Sequence, residues 1–357
     1  MAAWQPAEIL TAGLVSPVGL TAGSSAAAVR AGITRLRETA IYSRTLKPLL
    51  AGFLDEVHLP ELPDAVRRAT RTVTMRYQRM LRLAVGALRE AARDCPVPPP
   101  LLLALPEPTP GAPAPGATDF LTHLMDFSGV PLDKKQSQLF PHGRAGGFFA
   151  LQEALRLLSS GRVRHVLVGG VDSFLDLSLL TALDAEERLR GHGLSDGLIP
   201  GEGAAFLLLG LTQRGWPGQR SIHARVMGVG TGHEEGHRYS EKPYRGEGLA
   251  RAFQLLFEAL PPSVPRVRCV YTGMNGESFW AKEWGVAYLR HARYFEEQFS
   301  IEHPVEFMGD PGAALGPMMV VLSALGMQKG YRQAPCLVWC SSEREDRGAA
   351  LIHGGNE

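Results

Sequence analysis

The segment from Leu139 to Phe174 has a layout that commonly presents a reactive side chain at the start of a helix. It reads LFPHGRAGGFFALQEALRLLSSGRVRHVLVGGVDSF, which predicts a turn, a helix from Phe148 to Leu158, a basic turn and a buried strand from Val163 to Gly169. A helix N-terminus stabilises negative charge, so a Cys or Ser at this turn would be activated as a nucleophile. The turn holds Arg144 instead, and its guanidinium stays protonated and cannot act as one.

A second candidate for chemistry is HEEGH, from His233 to His237, which matches the H-E-x-x-H pattern of zinc metalloproteases with Glu234 as general base. That mechanism requires both histidines on one face of a stable helix and a third metal ligand. The surrounding MGVGTGHEEGHRYSEKPY is rich in Gly and contains Pro, which predicts a loop. A zinc metalloprotease is therefore a minor alternative, and we expect no metal and no cofactor.

Buried strands and amphipathic helices alternate around these segments. We predict strands over residues 8–14, 101–105, 163–169, 204–209, 222–232, 266–274, 336–342 and 348–354. We predict helices over residues 21–36, 71–95, 148–158, 246–260, 278–299 and 310–330. Continuous apolar strands that alternate with helices indicate an α/β protein whose sheets are covered on both faces.

The chain divides at a Gly/Pro-containing break, TQRGWPGQRS, into an N-terminal half of residues 1–213 and a C-terminal half of residues 214–357. The second half repeats the strand and helix order of the first. A run of arginines from Arg67 to Arg93 falls on a predicted helix of the first half. We interpret it as a solvated helix face, with a binding site for an acidic partner as the alternative.

Four stretches resemble the thiolase-like superfamily and, within it, the β-ketoacyl synthases. Residues 9–36 are similar to the ketosynthase opening strand, turn and helix, and residues 150–173 to the helix and Gly-Gly strand that follow the nucleophile. SDGLIPGEGAAFLLL is similar to the D-G-x-x-x-G-E-G-A segment, and EFMGDPGAALGPMMVVLSALGMQKG to the C-terminal Gly-His-x-x-Gly-Ala-Ala-Gly helix. The resemblance implies a five-layered αβαβα fold with two pseudo-twofold-related halves, usually assembled as a dimer.

The resemblance also implies a catalytic cysteine and two histidines, and the matching positions of this chain hold none of them. The place of the nucleophile falls on Arg144. In VYTGMNGESF, Asn275 stands at the first histidine and Glu277 at the threonine that follows it. Asp310 stands at the second histidine, with the alignment good to about one position, and SSEREDRGAA replaces the closing Gly-Phe-Gly-Gly loop. Without these groups we expect no condensation, and therefore a pseudoenzyme.

The replacing side chains suggest two alternatives for the former active site. Arg144 could pair with Asp310 and fill the pocket, which also contains Asn275, with a buried salt bridge. The other alternative is an arginine-lined pocket for a carboxylate or phosphate at the helix N-terminus. His142 could serve as a base there, although a lone histidine in a turn more often forms a structural hydrogen bond.

These inferences predict a protein that works by binding another protein. We expect an accessory or adaptor protein, and by analogy with other thiolase-like proteins its partners would be bacterial secretion effectors. The alternative is a subunit like a chain length factor, which would pair with an active ketosynthase that acts with an acyl carrier protein in fatty acid or polyketide synthesis. We expect a dimer in which the strand ending at Gly169 and Gly170 pairs across the twofold axis.

Composition excludes several other classes of protein. The 357 residues carry a formal net charge of +1, which argues against binding of nucleic acid. Four cysteines without a CxxC pair indicate neither a disulfide framework nor structural zinc. The N-terminal residues lack the pattern of a signal peptide and no apolar run is long enough to span a bilayer, so we expect a cytoplasmic location.

Overall fold

The computed structural model describes residues 5–116, 118–191, 195–211 and 221–354. The strands of this part of the chain are β1 (Ala7–Val15), β2 (Arg37–Tyr42), β3 (Pro48–Ala51), β4 (Leu101–Ala104), β5 (Gln138–Phe140), β6 (His165–Ser173), β7 (Glu202–Gly210), β8 (Ala224–His233), β9 (Val267–Thr272), β10 (Phe295–Glu302), β11 (Cys336–Ser341) and β12 (Asp346–Gly354).

The α-helices of the same ranges are α1 (Ala22–Arg30), α2 (Asp64–Ala69), α3 (Met75–Ala91), α4 (Phe120–Ser128), α5 (Gly146–Ser159), α6 (Leu177–Ala185), α7 (Glu247–Ala259), α8 (Ser278–His291), α9 (Val305–Met308) and α10 (Leu315–Gln328). Among these helices, none has the length and apolar character needed to cross a membrane.

Ten strands form one sheet whose two halves have the same internal order. The N-terminal half runs β1-β7-β6-β4-β5, and the C-terminal half runs β8-β12-β11-β9-β10. In both halves the second strand is antiparallel to its neighbours, and the last three strands are mutually parallel. The halves meet where Ala7 and Glu8 pair with Val226 and Arg225. This repeated order confirms the predicted pseudo-twofold relation.

Helices cover both faces of each half-sheet. On the outside of the N-terminal half-sheet, α3 and α4 share a core with β4, β6 and β7. On the outside of the C-terminal half-sheet, α7 packs on β9, β11 and β12, with α8 beside it. The two half-sheets face a common core that contains α5 and α10. The layers therefore follow the predicted αβαβα order. The predicted boundary at residues 213 and 214 lies outside the described residues.

The predicted helix over residues 278–299 is wrong in its last part. Helix α8 ends at His291, and the chain continues as β10, which pairs in parallel with β9. The apolar residues of FEEQFSIE lie at Phe295, Phe299 and Ile301, which is closer to the two-residue period of a strand than to a helical period. Pairing with β9 decides the conformation of this short segment.

The interpretation of the arginines on α3 as a solvated face is wrong for Arg76 and Arg79. Arg76 donates to Asp172 at 2.8 Å, and Arg79 donates through Nε to Glu202 at 2.6 Å, with all four side chains buried. Glu202, from the GEGA segment, also accepts from the backbone N–H of Leu54 at 2.7 Å. These arginines therefore compensate buried carboxylates that join α3 to β6 and β7.

The expected role of the strand ending at Gly169 and Gly170 as a dimer edge is also wrong. That strand is β6, which lies between β4 and β7 with every residue buried. The edge of the N-terminal half-sheet is β5, which pairs with β4 and lies at the end of the strand order. An apolar strand that is hydrogen-bonded on both sides has no backbone groups left for another chain.

Two glycine-led turns precede the two central helices. Residues Gly143–Ala145 lead into α5 and Gly312–Ala314 lead into α10. Both glycines have φ near 53°, a left-handed conformation that is costly for other residues. A Cβ atom would lie 2.3 Å from Glu107 at Gly143 and 2.1 Å from Asp172 at Gly312. The turns thus bring Arg144 and Asp310, one before each central helix, to the same place between the halves.

Candidate functional site

The structure brings the predicted positions Arg144, Asn275 and Asp310 into direct contact. Arg144 lies in the turn before α5, Asn275 follows β9, and Asp310 precedes the turn into α10. Arg144 donates through Nη1 to Asp310 Oδ2 at 2.8 Å, so the predicted ion pair is present. Asn275 donates through Nδ2 to the same oxygen at 2.8 Å. The second oxygen of Asp310 accepts from the backbone N–H of Gly312 at 2.9 Å.

The other terminal nitrogen of Arg144 contacts a residue that the resemblance does not identify. Its Nη2 donates to Glu343 Oε1 at 2.6 Å, and Glu343 lies in the loop between β11 and β12. The guanidinium carbon lies 4.5 Å above the ring of Trp280, a favourable position for a cation over an indole. Because both terminal nitrogens already contact carboxylates, the ion-pair alternative describes this geometry better than an open anion site.

Two further arginines join Glu343 to Glu277. Arg188 donates to both oxygens of Glu277, at 2.8 and 3.0 Å, and to Glu343 at 2.9 Å. Arg238 lies 2.9 Å from Glu277 and 3.1 Å from Glu343, but its nitrogens are not aligned for hydrogen bonds. Trp280 donates its Nε1–H to Glu277 at 3.0 Å. We call Arg144, Arg188, Arg238, Glu277, Asp310 and Glu343 the charge cluster; it balances three arginines with three carboxylates.

The pKa shifts in the charge cluster follow from burial and from this balance. Burial alone would raise the pKa of Glu343, but Arg188, Arg144 and Arg238 outweigh it and lower that pKa to about 2. For Asp310 burial has the larger effect and raises the pKa, although Arg144 and Asn275 oppose it. Asp310 therefore relies on a continuous contact with Arg144 to remain charged.

The side chains of the charge cluster do not include a nucleophile. The neighbouring thiol of Cys340 is completely buried, and burial raises its pKa far above the ordinary range. The cavity left beside Arg144 measures about 40 Å³, a volume comparable with that of one water molecule. A second cavity, of about 440 Å³, lies on the other side of Asn275 and Glu277, which line it. The charge cluster can hold charges in fixed positions, but it offers no thiolate.

Glu107 lines the same cavity and has no cationic partner in the charge cluster. Its carboxylate accepts from the backbone N–H groups of Glu343 at 2.8 Å and Arg344 at 3.3 Å, which hold the loop between β11 and β12. Burial, and then the negative charge of Glu343, raise the pKa of Glu107 to about 7. The two N–H groups and the charge of Arg144 oppose this rise only in part, so Glu107 is the less well compensated carboxyl group beside the charge cluster.

His142 lies at the rim of the site and contacts none of the charge cluster directly. Its Nδ1 is 2.6 Å from Asp346 Oδ2, and its ring stacks on Phe149 with centroids 4.8 Å apart. The hydrogen bond with Asp346 raises the pKa of His142. The side chain thus forms the structural hydrogen bond that is one of its two predicted roles.

The HEEGH match does not lie on a helix. His233 is the last residue of β8, and a turn follows it. The buried carboxylate of Glu234 accepts from the backbone N–H of Gly248 at 2.9 Å, in the first turn of α7. Glu234 therefore has a structural role as a cap, and the segment lacks the helical spacing that the metalloprotease interpretation needs. Within the described ranges, no group of three or more His, Cys, Asp or Glu side chains is arranged to hold a metal ion.

Sequence reasoning missed Arg188, Arg238, Glu343 and Glu107. Glu343 belongs to SSEREDRGAA, whose charges stand where the resemblance implies a glycine-rich loop, and this could have indicated a polar replacement. Arg188 and Arg238 follow α6 and β8 in loops without a sequence motif. Their role depends on contacts between residues far apart in the sequence. Arg188, for example, contacts residues that lie 89 and 155 positions further along the chain, and no local pattern shows such contacts.

Comparison with known proteins identifies the fold. No protein-family model and no curated protein matches the chain. The ishigamide ketosynthase/chain length factor superimposes with a TM-score of 0.77 and 15% identity, over 99% of this chain and 100% of that chain. The ketosynthase from module 6 of the bacillaene synthase of Bacillus subtilis 168 superimposes with a TM-score of 0.79 and 13% identity, and the match covers 98% of this chain and 72% of that chain. The chain therefore has the thiolase-like fold of ketosynthases.

A third similar structure is a type II polyketide synthase acyl-carrier protein in complex with its ketosynthase bound to a hexaketide. It superimposes with a TM-score of 0.75 and 14% identity, and the match covers 98% of this chain and 99% of that chain. This match and the match with the ishigamide ketosynthase/chain length factor structure therefore cover 98% and 99% of this chain. At such identities the likeness concerns the fold alone.

We predict that Arg144→Met destabilises the protein by about 3–5 kcal/mol, because it leaves Asp310 without its charge partner in a buried site and removes one of the three arginines that contact Glu343. Urea denaturation of wild type and variant gives the free energy of unfolding. The matched control is Arg156→Met, which removes an exposed arginine paired with Glu153 on α5 and should cost less than about 1 kcal/mol. Equal effects of the two substitutions would contradict a buried charge balance.

We also predict that Glu107 makes the protein less stable as the pH rises. The folded protein holds this proton up to about pH 7, whereas the unfolded chain releases it near the ordinary carboxyl pKa, so stability falls between those two values. Glu107→Gln stays neutral and should remove roughly 3 kcal/mol of that decline between about pH 5 and about pH 8. The control Glu297→Gln changes an exposed residue of β10 and should leave the slope unchanged. Identical slopes in wild type and Glu107→Gln would refute the assignment.

Proposed function

We propose that this protein is a non-catalytic ketosynthase-fold subunit that pairs with an active ketosynthase, in the manner of a chain length factor. The observation that carries the proposal is the charge cluster, which stands where the resemblance places the cysteine and two histidines of a ketosynthase. Arg144 and Asn275 both donate to Asp310, and all three side chains are buried.

The energetics of the charge cluster argue against hidden activity. To bind an acyl thioester at the position of Arg144, the site would have to separate Arg144 from Asp310 and Glu343 and enlarge the cavity of about 40 Å³ beside it. Removing one member of a buried ion pair typically costs about 3–5 kcal/mol before any new contact forms. Condensation also needs a thiolate and oxyanion donors, and a single missing donor of that kind lowers rates by roughly 10²–10³.

Two further observations support a ketosynthase as the partner. The chain overlaps over its full length with a structure described as a ketosynthase/chain length factor. Strand β5 lies at the end of the strand order, in the position from which a sheet can continue into a second protein. The two subunits would then share one sheet, and the partner would supply the reactive cysteine and receive the acyl carrier protein.

We predict that the protein co-purifies in equimolar amounts with a ketosynthase from its own genome when the two are co-expressed. Incubation of the complex with acyl and malonyl groups on acyl carrier protein, followed by intact-mass spectrometry, should show an acyl adduct on the ketosynthase alone. Arg144→Cys should at most accept an acyl group without condensing it, because Asn275 and Asp310 supply no imidazole.

Three outcomes of this experiment separate the possibilities. An acyl adduct on the wild-type chain, or condensation by the chain alone, would refute the non-catalytic role. A protein that remains unmodified and binds none of the ketosynthases would refute the partnership and favour the adaptor interpretation. Co-purification that survives Arg144→Cys would show that binding of the ketosynthase does not need the Arg144 side chain.

A further inference from the structure

A cavity of about 630 Å³ lies on the C-terminal half, away from the charge cluster. It is enclosed by the end of β8 and its following turn, by the first half of α7, and by the end of α8. The lining side chains used below are Lys242, Arg245, Arg251, Arg290, Glu235 and His291. We call this space the α7–α8 cavity.

Positive side chains from three separate segments converge on the α7–α8 cavity. Lys242 pairs with Glu235 at 2.7 Å, so this cation is already compensated. Arg251 donates only to the neutral side chain of Gln254, at 2.9 Å. In the described part of the chain, Arg245 and Arg290 have no carboxylate within ion-pair distance. Three arginines around one cavity therefore lack a bound negative charge.

Two acidic residues at the same cavity act on the N-terminus of α7, and a third, Glu235, pairs with Lys242 while also feeling the charge of Arg245. Glu234 is buried and its carboxylate accepts from the N–H of Gly248, so it compensates the positive end of α7. Glu247, in the first turn of α7, occupies the position where a helix dipole stabilises a carboxylate. The N-terminus of α7 is thus satisfied by the chain itself, and the guanidinium groups remain for a ligand.

His291 supplies a neutral hydrogen-bonding group inside the α7–α8 cavity. Its Nε2 donates to the carbonyl oxygen of Ala250 at 2.9 Å. Burial lowers the pKa of His291, and the charges of Arg293 and Arg290 lower it further, while the Ala250 carbonyl and Glu258 oppose them. Part of this shift comes from Arg290, which lines the cavity, so an anion bound beside Arg290 would raise the pKa of His291.

We propose that the α7–α8 cavity binds a phosphate-bearing small molecule. Guanidinium groups form paired, charge-assisted hydrogen bonds with phosphate oxygens, and three of them arranged around a cavity suit a group with several charged oxygens. The volume exceeds that of a phosphate group, which leaves space for the organic part of a phosphate ester. This site goes beyond the proposed pairing with a ketosynthase and does not depend on it.

The test is isothermal titration calorimetry with inorganic pyrophosphate at low ionic strength. We expect one site per chain, with affinity at least about tenfold weaker in Arg245→Gln/Arg290→Gln because two charge-assisted contacts are removed. Arg68→Gln/Arg71→Gln is the matched control, since it removes the same charge from exposed, unpaired arginines and should leave the affinity unchanged. NMR titration should show a higher pKa of His291 when pyrophosphate is bound.

Several results would overturn the proposal. Absence of pyrophosphate binding would do so directly. An equal loss of affinity in the control variant would assign the binding to overall charge and not to the α7–α8 cavity. Binding of pyrophosphate without a change in the pKa of His291 would place the anion elsewhere, and citrate binding as tightly as pyrophosphate would show that the phosphate class is wrong.

Discussion

The buried ion pair between Arg144 and Asp310 is the constraint on which the centre of this protein depends. A buried charge is tolerated only when a partner and hydrogen bonds compensate it, so each further residue near the pair must preserve the balance. Glu343 also contacts Arg144. Two further arginines, Arg188 and Arg238, balance Glu343 and Glu277. The face of Trp280 covers the Arg144 guanidinium. Glu107, which lies outside this balance, has its pKa raised to about 7.

The repeated architecture explains why these residues meet. Each half of the chain supplies a glycine-led turn before a central helix, and the pseudo-twofold relation places the two turns side by side. The resemblance implies that a ketosynthase would assemble its cysteine and two histidines at this convergence. In this chain the convergence brings Arg144 and Asp310 together as a buried salt bridge. The likeness to solved ketosynthases at 13–15% identity concerns this geometry.

Sequence reasoning predicted the parts of the fold that depend on local pattern. The buried strands, the central helices and the Arg144–Asp310 pair followed from hydrophobic periodicity and from the order of four motifs. It failed where tertiary contacts override the local pattern. The segment after α8 forms strand β10 because it pairs with β9. Arg76 and Arg79 are buried because carboxylates from distant parts of the sequence pair with them. Arg188, Arg238 and Glu343 lie in loops that come into contact only when the whole chain has folded, so the sequence alone did not indicate them.

A double-mutant cycle on Arg144 and Asp310 tests the account most directly. Arg144→Met, Asp310→Asn and the double variant would be unfolded in urea, and the coupling energy taken from the four free energies of unfolding. The account predicts a coupling on the order of 1.5–3 kcal/mol, with the double variant losing less stability than the two single losses added together. Strictly additive losses would show that the two side chains do not depend on each other, and would contradict a charge cluster in place of a catalytic site.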